Sequence, residues 1–172
     1  MPEGDTLHRT ADGLRPYLVG RRVVAARARA PGPAVWSLVG TTVVAVEAVG
    51  KNLLVRFDDG RTIRTHLRMR GAWHRYRPGA PWRRRATRAS LILEVEGVVA
   101  VCFDAPTVEL FDGRAERVHP GLADLGPDLL APGFDLETAV GRVAAPDLVE
   151  RPIAEVLLDQ RVVAGAELEP GD

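Results

Sequence analysis

The chain has 172 residues, of which 46% are hydrophobic, and its 23 basic residues balance 23 acidic ones. This length fits one domain, or one domain with part of a second, and the hydrophobic share excludes wholesale disorder. The single cysteine, Cys102, excludes an internal disulfide and a cysteine-rich zinc site, and we expect it to be a small buried hydrophobe. No apolar stretch reaches membrane-spanning length and no signal peptide opens the chain, which predicts a cytoplasmic protein.

The net charge of zero hides a strong asymmetry between the two halves of the chain. Residues 1–88 carry 18 basic and 6 acidic residues, a balance of +12, whereas residues 89–172 carry 5 and 17, a balance of −12. A basic half of this strength is typical of a protein that binds a polyanion, of which nucleic acid is the commonest. Pairing of the two halves in the folded protein explains the pattern equally well at this point.

The first predicted element is a helix. It follows the opening "MPEGDT", with Asp5 as the expected N-cap. Its apolar positions have helical spacing: Leu7, Ala11, Leu14 and Leu18. Pro16 predicts an end or a kink near that residue.

The next predicted elements are short strands rich in β-branched residues. They are "RVVAARAR", "TTVVAVEAV", "NLLVRF", "RTIRTHLRM", "GAWHRY", "SLILEVE" and "VVAVCF". Turn signals at 58–60 and 96–98 predict two hairpins. Six to eight strands at this spacing indicate a β-sandwich or a flattened barrel.

The last predicted elements are helices, "DLETAVGRVA" with Asp135 as N-cap and "RPIAEVLLDQRVVAG". These changes in predicted secondary structure divide the chain into a helix and sandwich domain at 1–115, a linker at 116–134 and a helical segment at 135–172.

Four segments in this order resemble one protein family: "MPEGDT", "GKNLL", "THLRMRGAW" and "RPIAEVLLDQRVVAG". Together they are similar to the formamidopyrimidine-DNA glycosylase and endonuclease VIII family of repair enzymes, which excise oxidised bases and cut the DNA strand. The resemblance implies an α+β fold: an N-terminal helix and a sandwich of about eight strands, then a helical domain with a helix–two-turns–helix DNA-binding motif.

The resemblance also implies catalytic roles for Pro2, Glu3 and Lys51. In the family, the matching proline forms a Schiff base, the glutamate donates a proton, and the lysine lies beside the scissile phosphate. The residue types suit this chemistry, because an N-terminal amine has an unperturbed pKa of roughly 8 and is partly unprotonated at neutral pH. Lys51 is the chain's one lysine beside 22 arginines, which singles it out further. All three residues precede position 52, so we expect the helix and sandwich alone to position them.

The resemblance assigns DNA contacts to His66 and Met69. The family's histidine contacts the DNA backbone, although a strand histidine bonded to its neighbours is an equal alternative for His66. The family's counterpart of Met69 enters the space left by a flipped-out nucleotide. Arg68 and Arg70 flank Met69, which indicates a solvated loop near phosphate rather than a core position.

The chain also departs from the family. After "VVAG" it reads "AGAELEPGD", where the family continues with a glycine–asparagine–aromatic turn, a second helix and a zinc finger. We therefore expect a C-terminally truncated protein with an incomplete helical domain, no zinc or other cofactor, and impaired activity. The loop "FDAPTVELF" lacks an arginine–phenylalanine pair of the formamidopyrimidine branch, which favours the endonuclease VIII branch and oxidised pyrimidines.

The expected partner is damaged double-stranded DNA, with neither a membrane nor an obligate protein partner. Two other functions stay open: a non-catalytic remnant that binds DNA or a protein, and a tautomerase that uses the proline amine. Tautomerases carry that proline at the start of a strand, whereas Pro2 here precedes a predicted helix.

Overall fold

The computed structural model describes residues 3–148 and 150–166, with side chains from Asp5 onward. Its helices are α1 (Glu3–Leu18), α2 (Gly113–Val118), α3 (Leu136–Val143) and α4 (Ile153–Leu158). Its strands are β1 (Val23–Ala28), β2 (Val43–Val49), β3 (Asn52–Phe57), β4 (Arg61–His66), β5 (Ala72–Tyr76), β6 (Ala89–Val95), β7 (Val98–Phe103) and β8 (Thr107–Asp112). Eight strands behind an N-terminal helix confirm the predicted α+β sandwich.

The strands form two antiparallel four-stranded sheets, in the orders β1-β6-β7-β5 and β2-β3-β4-β8. One large apolar core lies between them, with Leu53, Val55, Leu91 and Leu93 fully buried. The predicted turns at 58–60 and 96–98 join β3 to β4 and β6 to β7 as hairpins.

Helix α1 closes the sandwich with the apolar stripe that the sequence predicts. Leu7, Ala11, Leu14 and Leu18 are all buried in the main core. The helix contains Pro16 and ends two residues beyond it. Asp5 as N-cap is wrong: the helix already includes Glu3, and Asp5 forms an ion pair of 2.7 Å with Arg9 one turn later.

Strand β7 is buried on both faces, which explains its continuous apolar sequence "VVAVCF". Val98, Ala100 and Cys102 face the main core. Val99, Val101 and Phe103 belong to a second cluster with Tyr76 and Trp82. The prediction that Cys102 is a buried hydrophobe is confirmed, and its burial raises the pKa of the thiol.

Most of "FDAPTVELF" is a strand and not the loop that the sequence suggests. Thr107–Asp112 forms β8, paired antiparallel with β4, and only residues 104–106 connect it to β7. Its residues 107–111 are all half-buried at the edge of a sheet, so neither strict alternation nor a fully apolar run marks them.

The helical segment has a small core of its own, formed by Ala139, Val156, Val162 and Val163. Asp135 caps α3 as predicted, because its carboxylate accepts a 2.9 Å hydrogen bond from the Thr138 N–H. The second predicted helix is shorter than expected and ends at Leu158. There the Asp159 side chain accepts from the Arg161 N–H at 3.1 Å, which favours a turn over further helix.

Candidate active site

Lys51 lies in the two-residue turn between β2 and β3. Val49 and Asn52 pair directly across this turn, and Gly50 adopts a left-handed φ of 56°. The Asn52 side chain is almost fully buried and donates to the Val49 carbonyl at 3.1 Å. The turn is therefore closed by its own residues, with the Lys51 side chain half-buried.

The strand register places His66 at the same end of the sheet as Lys51. His66 is the last residue of β4 and lies opposite Asn52 on one side and Thr107 on the other. The structure thus brings together two predicted site residues that are 15 positions apart in the sequence.

The loop after His66 presents Met69 to solvent. Leu67 is buried, Arg68 has a left-handed φ of 49°, and the Gly71 N–H donates to the Leu67 carbonyl at 2.9 Å. Met69 is 94% exposed, which excludes a core position for it. Arg68 and Arg70 are exposed on either side of it, as the sequence indicates.

Asp128 connects helix α1 to the Lys51 turn. One carboxylate oxygen, Oδ2, lies 3.3 Å from His8 Nε2 and accepts from the Gly50 N–H at 2.9 Å. The other oxygen, Oδ1, accepts from the Leu130 N–H at 2.9 Å. A residue beyond both the helix and the sandwich therefore contacts the Lys51 turn, and the expectation that those two elements alone position Lys51 stays a prediction.

A second network holds the other side of the same turn. Arg64 Nε donates to Asn52 Oδ1 at 2.8 Å, and its Nη1 donates to Glu109 at 2.5 Å. His119 Nε2 lies 3.1 Å from the same Glu109 oxygen, and its Nδ1 accepts from the Gly121 N–H at 3.0 Å. The nearly buried charge of Arg64 is thus paired and hydrogen-bonded, as a buried charge requires.

Two of the predicted catalytic groups lie at the beginning of the chain. Pro2 and the side chain of Glu3 are outside the described residues. The backbone of Glu3 opens helix α1, five residues before His8, which corresponds to about 7.5 Å along a helix axis. Helix α1 therefore connects His8, at the Asp128 contact, to Glu3, which follows the predicted nucleophile in the sequence.

The loop between β5 and β6 is rich in arginine and is packed against the outer face of β7. Tyr76 stacks on Trp82 with ring centroids 6.0 Å apart, and Trp82 meets Phe103 edge-on at 5.9 Å. Residues 61–93 contain ten arginines and no acidic residue. The aromatic contacts fix the loop, so its arginines stand on an ordered surface.

Asp104, in the connection between β7 and β8, holds two arginines of this loop, and one of them also contacts the loop that carries Met69. Its carboxylate pairs with Arg84 at 2.9 Å and with Arg88 at 2.7 Å, and these arginines, Arg88 above all, lower the pKa of Asp104. Arg84 also donates to the Arg70 carbonyl at 3.3 Å. Within the described part of the chain, Arg83 and Arg85 have no carboxylate at ion-pair distance.

Across 3–148 and 150–166, no three His, Cys, Asp or Glu side chains gather as a metal site would require. Over the same residues, no helix combines the length and apolar character needed to cross a membrane.

Comparison with known proteins identifies the family. The sequence model of the formamidopyrimidine-DNA glycosylase N-terminal domain matches residues 1–110. The chain therefore belongs to the formamidopyrimidine-DNA glycosylase and endonuclease VIII family.

Its relatives include proteins of the endonuclease VIII type. The chain is 37% identical to a probable endonuclease 8 2 of Streptomyces coelicolor, covering 96% of this chain and 59% of the relative. It is 38% identical to the DNA-(apurinic or apyrimidinic site) lyase Nei2 of Mycolicibacterium smegmatis, covering 96% of this chain and 62% of the relative. The chain thus spans about three fifths of the length of these relatives.

Solved structures confirm the fold. The Lactococcus lactis formamidopyrimidine-DNA glycosylase, non-covalently bound to DNA containing an AP site, superimposes with a TM-score of 0.73 at 22% identity. The match covers 97% of this chain and 65% of the other.

Four residues of this site are not among those predicted from the sequence: Asn52, Arg64, Asp104 and Asp128. Asn52 could have been noticed beside Lys51 in "GKNLL". The other three are polar residues that no sequence motif marks, and their part in the site is evident only from their long-range contacts in the structure.

Proposed function

We propose that this chain is a base-excision-repair DNA glycosylase with associated AP lyase activity. Its proposed partner is double-stranded DNA that carries an oxidised pyrimidine. Family membership and relatives named as endonuclease 8 and as an AP lyase support the activity. The preference for pyrimidines rests on the similarity to endonuclease VIII relatives and on the lack of an arginine–phenylalanine pair in "FDAPTVELF".

The proposed chemistry begins at the Pro2 amine. The nitrogen lone pair attacks C1′ of the damaged nucleoside while Glu3 protonates the ring oxygen, so the sugar opens and the base departs as the iminium forms. Loss of a C2′ proton then sends its electron pair toward the iminium system and expels the 3′-phosphate. In this scheme the Lys51 ammonium lies beside that phosphate and stabilises the charge that develops on it.

The observation that best supports this proposal is the convergence of three predicted groups at one end of the β2-β3-β4-β8 sheet. The Lys51 turn, His66 and the loop bearing Met69 all lie there. An exposed apolar side chain suits insertion into the space that a flipped nucleotide leaves, since it offsets part of an unstacking cost of a few kcal/mol. His66, Arg68 and Arg70 are the proposed backbone contacts around it.

The ordered arginine loop extends this surface. Arg84 ties it to the Met69 loop, and Arg85 follows directly as an exposed cation. A run of 33 residues without an acid suits contact with phosphates, whose neutralisation releases counterions and supplies affinity.

The proposed reaction needs no metal or organic cofactor, since the amine, the carboxyl group and the ammonium supply nucleophile, acid and charge stabilisation. We place the protein on cellular DNA in the cytoplasm, where the proposed substrate is found, and without an obligate protein partner.

The test is strand cleavage of a duplex that contains one abasic site. The untagged chain is expected to cut it, and a chain whose N-terminal amine is blocked by a tag is expected to leave it intact. Equal cutting by both proteins would remove Pro2 from the mechanism. Binding of the duplex without cleavage by the untagged, folded chain would favour the non-catalytic alternative.

A further inference from the structure

Asp128 stands at the junction of the two elements that carry the proposed catalytic groups. We propose that Asp128 is a positioning residue, which sets the Lys51 turn relative to the start of helix α1. This inference rests on the proposed lyase function and extends it, because it assigns part of the active-site geometry to the segment that follows the sandwich.

The geometry around the carboxylate is specific. Oδ2 receives both the His8 contact from α1 and the Gly50 N–H from the turn, so a single atom fixes the two elements to each other. Oδ1 is occupied by the Leu130 N–H, and the side chain is only 10% exposed. A nearly buried carboxylate with three partners has one favoured orientation, because any rotation leaves a donor or the charge unsatisfied.

Asp128 is itself anchored by backbone pairing. The Leu129 N–H donates to the Ala164 carbonyl at 3.0 Å, and the Ala164 N–H donates to the Pro127 carbonyl at 3.0 Å. The Gly126 N–H donates to the Gln160 carbonyl at 2.8 Å. The segment around Asp128 is thus tied to the turns after α4, which makes it a firm support for the Lys51 turn.

Packing at Gly50 tightens the same contact. A Cβ atom on Gly50 would lie 3.3 Å from the Leu125 side chain and 3.7 Å from Ala164. The backbone of the turn therefore lies close to Leu125 and Ala164, and this packing restricts movement of the turn where the Asp128 hydrogen bond is made. Lys51 follows Gly50 directly, so its backbone moves with this contact.

The chemical consequence concerns elimination rather than binding. Asp128 is an anion and is directed at a backbone N–H and a histidine, so it contributes no phosphate contact. A displacement of 1 Å in a reacting group can cost about a hundredfold in rate. Loss of Asp128 is therefore expected to slow the step that Lys51 assists while the salt dependence of DNA binding stays as it was.

The experiment compares the wild type with Asp128→Ala and Asp128→Asn, and with Asp124→Ala as a matched control. Asp124 removes the same charge from the same segment, but it is exposed and makes no hydrogen bond within the described residues. Single-turnover cleavage of an abasic duplex is measured for each protein, with borohydride trapping of the Schiff base to count competent molecules. Binding is titrated at several salt concentrations, and thermal unfolding confirms that each variant is folded.

We expect Asp128→Ala to cut at least about tenfold more slowly per competent molecule, with an unchanged salt slope, and Asp124→Ala to match the wild type. Asp128→Asn keeps an oxygen for the Gly50 N–H and should recover part of the rate; it also decides the matter if the alanine variant fails to fold. Wild-type cleavage by the folded Asp128 variants, or a rate loss equal in Asp124→Ala, would overturn the inference alone. An inactive wild type would overturn the proposed function and this inference with it.

Discussion

The sandwich and the helical segment differ sharply in how completely they bury their apolar residues. The sandwich has a continuous core in which Leu53, Leu91 and Leu93 are inaccessible to solvent. The helical segment buries four residues in its own core and leaves Leu136 64% and Ile153 61% exposed. Most of the buried apolar contacts of the described residues therefore lie in the sandwich, and the helical segment has few of its own.

The contacts of the candidate site are not confined to the well-packed sandwich. The well-packed region carries Lys51, His66 and Met69. The connection at 116–134 supplies Asp128 to the Lys51 turn, and its backbone is hydrogen-bonded to the turns after α4 in the sparsely packed segment. Weak packing of the helical segment is therefore expected to affect catalysis and not only the grip on DNA.

The largest expected effect contrasts the two cores directly. Leu93→Ala should destabilise the protein by about 2–5 kcal/mol, because it leaves a cavity in a dense interior. Leu136→Ala is the matched change at an exposed site of α3 and should stay within about 0.5 kcal/mol. Urea unfolding of both variants measures this difference, and equal losses would mean that the helical segment is as tightly packed as the sandwich.

The next effect concerns the chemistry that the sandwich presents. Lys51→Arg keeps the positive charge but replaces a compact ammonium with a longer planar group. We expect strand cleavage of an abasic duplex to fall at least about tenfold, which corresponds to about 1.4 kcal/mol in the barrier. Cleavage at the wild-type rate would exclude Lys51 from the mechanism.

A smaller effect tests the arginine loop as a DNA-binding surface. Arg85→Ala should lower the slope of log affinity against log salt by about one unit, because one phosphate contact is lost. The control is Arg22→Ala. Arg22 is exposed, donates to the Gly40 carbonyl and directly precedes β1, at the end of that strand that lies farther from the arginine loop. An equal change of slope in both variants would show a diffuse charge effect and no defined contact.

The smallest effect is a pH dependence at Asp104. Its pKa in the folded protein is lowered by Arg88 and Arg84, so its stabilisation is present above the unfolded pKa of about 3.9 and is lost as the pH falls toward the folded value. Asp104→Asn should therefore have a lower Tm than the wild type near pH 6. That difference should shrink below about pH 4, and a constant difference would assign the effect to something other than the carboxylate charge.

The sequence predicts those features that depend on local pattern. Helical spacing of apolar residues predicts the leading helix α1, and the continuous apolar run predicts β7 as a buried strand of the sandwich. Strand β8 escapes prediction because an edge strand with half-buried residues has no clear period. The role of Asp128 could not be predicted, because its hydrogen bond joins it to Gly50, 78 residues earlier in the chain, and no local sequence pattern indicates such a contact.

The central claim is that the Pro2 amine forms a covalent intermediate with an abasic site. The most direct measurement is to incubate the untagged chain with an abasic duplex and borohydride, and to map the resulting crosslink by mass spectrometry. The account predicts a reduced adduct on Pro2. A crosslink on an internal residue, or no crosslink from folded protein at high concentration, would contradict it.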